Sequence, residues 1–173
     1  MQIRADMVSR LEKCCGAVPG SMLHIRVAFQ DITLFGNRAP VANYPVSTSR
    51  YGIGNQNGSF KTPPGIHRIA EKIGGGAPPG RIFRDRIDTL QNWTGEKGGE
   101  NLILTRILWL EGLEEGINRG PGIDSRERYI YIHGTNNENA VSAPMSHGCV
   151  CMRNADIIDL FDRVKVGTIV VID

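Results

Sequence analysis

Four side chains near the end of the chain have types and spacings that could do chemistry together: His133, His147, Cys149 and Cys151. They lie in one stretch from Tyr129 to Asn154, YIYIHGTNNENAVSAPMSHGCVCMRN. Nucleophilic acyl transfer needs a thiol that can ionise and an imidazole that can take its proton. Tyr129, Tyr131 and His133 alternate with Ile130 and Ile132, the period of a strand that keeps its polar side chains on one face. After a polar, turn-rich connection the chain returns through Ser146-His147-Gly148-Cys149-Val150-Cys151-Met152. If extended, that return points His147, Cys149 and Cys151 one way and sends Val150 and Met152 into a core. Spacing alone makes His147, two residues before Cys149, the tempting base. The same four side chains are zinc-ligand types, although a C-x-C spacing matches common structural zinc sites poorly. A buried structural cysteine with satisfied histidines is the ordinary alternative for any one of them.

Those residues need a scaffold, and the rest of the sequence reads as a mainly β one. Residues 3 to 15 carry Ile3, Met7, Val8, Leu11 and Cys15 at helical spacing, with Gly16 as a stop; such a helix would cover a sheet edge or face. Cys14 and Cys15 read as small apolar residues closing it. From Met22 the period becomes two, with Leu23, Ile25, Val27 and Phe29 on a buried face and His24 on the polar side as a surface histidine. Gly36-Asn37 signals a hairpin turn, and Val41 to Thr48 is its return strand. Ile66 to Ala70 is another strand, and the apolar run Leu102 to Leu110 reads as a central strand covered on both faces. Asn154 fits a helix N-cap ahead of the stripe Ile157, Leu160, Phe161 and Val164, and Val166 to Ile172 closes the chain as a strand. Many short strands, few helices and no βαβ alternation predict a sandwich or barrel.

Composition excludes several functions. A formal net charge of +2, with both signs interspersed and no aromatic-interleaved basic stripe, gives no basis for nucleic-acid binding. No apolar run reaches the roughly 18 residues a membrane-spanning helix needs. The first twenty residues show no apolar core of a secretory leader. The four cysteines make no disulfide framework. Gly74 to Gly80 and Gly95 to Gly99 lack the Gly-Lys-Ser/Thr ending of a phosphate loop and read as surface loop. The stretch 71–100 as a whole reads as a mobile loop that could act as a lid.

His133-Gly134-Thr135, ten further residues, and Ser146-His147-Gly148-Cys149 together resemble the signature of the L,D-transpeptidase catalytic domain, the YkuD family. Met152, Asn154, Asp156 and Leu160 are similar to its M-x-N-x-D-x-x-x-L extension. Upstream, Tyr44 to Thr48 and Thr62 to Gly65 resemble its PVST and TPxG segments. The resemblance covers residues 22–173 as a catalytic domain and leaves 1–21 as an N-terminal helical extension. It implies a β-sandwich with one or two short helices, acting on peptidoglycan stem peptides in the periplasm or cell envelope. Members cleave after the L-centre of the third stem residue, release D-alanine, and pass the thioester to an amine. Hydrolysis of the same bond, as in an L,D-carboxypeptidase, is the alternative outcome. Carried over, Cys149 is the nucleophile, His133 the base and the Gly134 carbonyl its orienter. Ser146, His147 and Gly148 support the cysteine and the oxyanion. Many relatives have an arginine where Cys151 stands, so Arg153 is the candidate substrate-binding arginine. Carbapenem-type inhibitors would acylate Cys149. This chemistry calls for no cofactor and no metal.

Overall fold

The computed structural model describes residues 5–96 and 99–173. Ile3, Lys97 and Gly98 therefore lie outside the described residues. The short alternating runs form ten strands and two helices: α1 (Ala5–Cys15), β1 (Met22–Arg26), β2 (Asp31–Gly36), β3 (Ala39–Pro45), β4 (Gly65–Ile73), β5 (Arg81–Arg84), β6 (Ile87–Asn92), β7 (Ile103–Gly112), β8 (Tyr131–Gly134), β9 (Val150–Met152), α2 (Asn154–Arg163) and β10 (Ile169–Ile172). The mainly β expectation is met.

The strands join in one mixed network in the order β3-β2-β1-β10-β4-β7, with β8 and then β9 continuing from β7. The pairs β1–β10 and β8–β9 are parallel and the others antiparallel. Just past β3, Ser47 exchanges backbone hydrogen bonds with Cys151 of β9, at 2.9 and 2.8 Å. That bridge closes the network on itself, so β9 has no free edge at the site. The hairpin β5–β6 hangs from the first residues of β7, pairing Ile82 with Leu104 and Phe83 with Ile103.

The main core collects Leu23, Ile25, Ile32 and Leu34 from one side and Leu108, Leu110, Ile132, Val150 and Met152 from the other. Ile157, Leu160 and Phe161 of α2 close it. Each of these side chains contributes about 1.5–3 kcal/mol on full burial. On the outer face, Met7 and Leu11 of α1 pack with Met22, Phe35, Ile66 and Val171. Arg10 of α1 makes a two-bond ion pair with buried Glu114, at 2.8 and 2.7 Å.

Five local expectations change. His24 is buried rather than on the surface, because α1 covers the face it shares with Met22; its Nε2 meets Asp173 Oδ1 at 2.8 Å. The first strand ends at Arg26, where Val27 turns to bond the Asp173 carbonyl, and Phe29 is 70% exposed. Cys14 and Cys15 end α1 but are exposed, off its apolar face. The hairpin turn falls on Asn37-Arg38, both left-handed, one residue later than expected. Within 71–100, Arg81–Arg84 and Ile87–Asn92 form a hairpin held to β7 instead of a continuous loop.

Candidate active site

Strand pairing sets the site. In the parallel pair β8–β9, Ile132 lies beside Val150, His133 beside Cys151 and Gly134 beside Met152. Because side chains alternate, Ile132, Val150 and Met152 enter the core while Tyr131, His133, Cys149 and Cys151 share the other face. In this register Cys149 falls opposite Tyr131, on the same face as His133 and two residues along from it.

His133 is 1% exposed. Its Nδ1 lies 2.8 Å from the Gly134 carbonyl, which can only accept, so the proton sits on Nδ1 and Nε2 keeps its lone pair. Burial pushes the imidazole down to about 4, partly offset by that hydrogen bond. Nε2 faces Cys151 Sγ at 3.8 Å, and that thiol also accepts from Asn101 Nδ2 at 3.2 Å. Cys151 is wholly buried. Burial, then the neighbouring Cys149, pushes its thiol up to about 12.

Cys149 is half-buried and lines an open cleft of about 540 Å³ with Asp85, Arg86, Ile103, Tyr129 and Tyr131. Its Sγ accepts from the Tyr131 N–H at 3.4 Å and donates to the Tyr129 carbonyl at 3.5 Å. Burial pushes this thiol up to about 11, against the Tyr131 N–H and the Arg128 guanidinium, which favour the thiolate. Of the two thiols, only Cys149 opens onto the cleft; Cys151 has the shorter path to the imidazole.

Glycine is required at two points. Gly148 has φ +124°, and a Cβ there would come within 3.3 Å of Ile130 and 3.4 Å of the Lys61 carbonyl. At Gly134 a Cβ would lie 2.5 Å from Asn154 Oδ1 and 2.7 Å from the Leu104 carbonyl. Asn154 reaches this corner because it is not the N-cap of α2. Arg153 occupies that position, and Asn154 is the first helical residue. Its N–H and Nδ2 both donate to Glu138, and Nδ2 also reaches the Thr135 carbonyl. A carboxylate at the helix N-terminus serves the dipole as well.

The other sequence-named residues are distributed as follows. Ser146 Oγ donates to the Cys149 carbonyl at 2.5 Å and accepts the Gly148 N–H at 3.2 Å, fixing the turn before the cysteine. His147 is exposed, in a ring cluster with Tyr51 and Phe60 at 5.7 Å from each. Arg153 faces Asp156 at 3.9 Å and is not among the residues lining the Cys149 cleft. Among the described residues no three His, Cys, Asp or Glu side chains gather as a metal-binding group, so the zinc alternative finds no geometric support.

Two arginines at the site went unread in the sequence. Arg128, in a charged loop, donates to the carbonyls of Gly54, Asn55 and Lys61 and lies near enough to Cys149 to favour its thiolate. Arg86 sits at the β5–β6 turn. The available signal was Ile82 and Phe83 before Asp85-Arg86 and Ile87 after, a hairpin pattern without the usual Asn-Gly turn. A second cleft, about 420 Å³ and lined by residues such as Arg50, Trp93, Asn136 and Glu138, has no cysteine or histidine in its wall.

Comparison with known proteins adds family evidence to this geometry. Residues 22–172 match the family described as the L,D-transpeptidase catalytic domain, YkuD. A 41-residue stretch, 24% of this chain, is 51% identical to part of the probable L,D-transpeptidase YbiS of Escherichia coli K12 and covers 13% of it. A 52-residue stretch, 30% of this chain, is 46% identical to part of the putative L,D-transpeptidase YqjB of Bacillus subtilis and covers 28% of it. The fold is similar to that of the LD transpeptidase LdtMt1 solved in complex with imipenem. That likeness has a TM-score of 0.54 at 16% identity and covers 89% of this chain and 59% of the other.

Proposed function

From the premise that the chain belongs to the L,D-transpeptidase catalytic-domain family, YkuD, we propose that it is a cysteine acyltransferase for peptidoglycan tetrapeptide stems. Its substrates lie in the cell envelope. The observation that carries this reading is a cleft-facing thiol, Cys149, on the same face as, and two residues along the sheet from, a buried imidazole whose tautomer is fixed by a backbone carbonyl.

Substrate binding turns Cys149 Sγ from the Tyr129 carbonyl toward His133 Nε2, a contact that tightens as the complex forms. The thiol proton passes to Nε2 while sulfur attacks the main-chain carbonyl of the third residue. The developing oxyanion is held by backbone amides. Gly148 N–H is already taken by Ser146, so the Cys149 amide is the proposed donor. Collapse breaks the C–N bond, and the imidazolium returns its proton to the departing D-alanine amine. An amine of a second stem then attacks the thioester, breaking the C–S bond and restoring the thiol. His147, two residues before Cys149, packs with Tyr51 and Phe60 and supports the turn that carries the cysteine. Gly134 keeps the base oriented through its carbonyl.

The test is incubation with disaccharide-tetrapeptide, read by mass spectrometry. Cross-linked dimers are expected from the native protein and none from Cys149→Ala. Tripeptide without dimers would make water the acceptor, and an unchanged substrate would overturn the reading. A carbapenem is expected to add to the native protein at Cys149, seen by intact mass.

A further inference from the structure

The hairpin β5–β6 brings a charged apex over the cleft, and the conformation there is unusual. Asp85 and Arg86 both have left-handed φ, +47° and +68°, at a turn that ordinarily selects asparagine or glycine. Such a backbone costs roughly 1–2 kcal/mol per residue and persists where surrounding contacts hold it. Here the contacts hold the guanidinium. Arg86 lies 4.7 Å over the Trp109 ring and 4.8 Å over the Tyr129 ring, and its Nη1 donates to the Tyr131 hydroxyl at 3.0 Å. Trp109 and Tyr129 are themselves stacked, with centroids 5.9 Å apart.

A guanidinium has five N–H donors, and among the described residues Arg86 uses one and forms no ion pair. Its neighbours differ: Arg81 is paired with Asp88 and Arg126 with Glu71. Arg86 is also the one cation among the residues lining the cleft that holds Cys149. A cation pre-oriented by aromatic faces, with most of its N–H donors unoccupied and a nucleophile in the same cleft, is built to receive a planar anion.

We propose that Arg86 is the specificity-determining residue that binds a carboxylate of the acyl donor, resting on the acyltransferase reading above. On a tetrapeptide stem whose third residue is diaminopimelate, two carboxylates lie near the scissile bond: the C-terminal one and the one at the far end of the third side chain. Asp85 beside Arg86 suits the second, which carries an ammonium on the same carbon.

The test has one arm that needs no stem peptide. Iodoacetate and iodoacetamide alkylate the same thiol, and only the first carries a carboxylate. The ratio of their rates at Cys149, read by peptide mass spectrometry, is expected to fall roughly tenfold or more in Arg86→Gln and to recover in part in Arg86→Lys. The iodoacetamide rate should hold, which separates a lost charge contact from a displaced hairpin. An unchanged ratio, or equal losses with both reagents, would overturn the proposal even if the protein turns over stem peptides. In the second arm, Arg86→Gln is expected to lower kcat/KM on the tetrapeptide roughly 10- to 100-fold. Amidating the recognised carboxylate should cost the native protein the same factor and Arg86→Gln nothing more. Whichever amide behaves so identifies the carboxylate, and additive losses with both would refute the contact. Absence of any turnover by the native protein would count against the acyltransferase reading, leaving the alkylation arm to decide the role of Arg86.

Discussion

The state of the thiol and imidazole at rest decides how the site works, and pH is the perturbation that reveals it. Cysteine enzymes can hold a preformed thiolate–imidazolium pair or ionise the thiol only as it attacks. Here burial acts on both groups in the direction of neutrality: the Cys149 thiol is raised to about 11 and the His133 imidazole lowered to about 4. At pH 7 roughly one thiol in ten thousand would be ionised on its own. Between the two values both partners are neutral, so attack assisted by His133 should run at a nearly constant rate between about pH 5 and pH 9. The measurement is carbapenem acylation of Cys149 across that range, beside an ultraviolet thiolate titration of the native protein minus Cys149→Ala. We expect a flat rate profile and a Cys149 step far above the ordinary 9.0. In His133→Gln only spontaneously formed thiolate can react, so the rate should drop at neutral pH and climb about tenfold per pH unit. Thiolate absorbance at pH 7, or a rate plateau set by a group titrating near 6 to 7, would refute the neutral-pair reasoning.

Gly134→Ala forces a methyl against the Leu104 carbonyl and Asn154 Oδ1, and overpacking of this kind costs about 1–3 kcal/mol. Urea unfolding should show that loss together with reduced turnover, and wild-type stability would mean the corner is looser than the distances imply. Cys151→Ala removes a wholly buried thiol that faces His133 but not the cleft. Acylation should fall only a few-fold, with an unfolding cost of about 1 kcal/mol. Complete loss of acylation would transfer the nucleophile's role to Cys151. Arg10→Met leaves the Glu114 carboxylate with the Ile66 N–H but without its cation, and should destabilise the fold by about 1–3 kcal/mol, since Arg10 keeps solvent contact. Burial raises the Glu114 pKa, but the Arg10 and Ile66 hydrogen bonds outweigh it and hold the pKa below its usual 4.5. The native pair therefore stabilises above that pH and loses its effect as pH falls through the depressed value. Stability measured against pH should fall less steeply in the variant, and an identical acid limb would exclude Glu114 as its source.

The sequence by itself determined the elements whose signal is local. Alternation was legible along Tyr131–Gly134 and Val150–Met152, because side-chain period depends only on backbone geometry, whereas Tyr129 and the bend at His147–Cys149 leave the extended line that the sequence predicted. The α1 stripe, the β2–β3 hairpin and α2 were legible for the same reason, with errors of a residue at turns and caps. Spacing alone pointed to His147 as the partner of Cys149, and only the resemblance to the family motif moved the base to His133. Tertiary structure alone decided what depends on a surface brought from elsewhere. His24 is buried on the face that it shares with Met22, which α1 covers, and Asn154 leaves the cap position because Glu138 arrives to serve the helix terminus. Parallel register, not spacing, turns His133 Nε2 toward Cys151, and the bridge between Ser49 and Ser146 brings His147 among Tyr51 and Phe60. Arg86 reaches the cleft only because β5 pairs with β7, and Trp109 and Tyr129 then hold its guanidinium. No periodicity near Arg86 encodes those rings, since they are supplied by strands and turns distant in the chain.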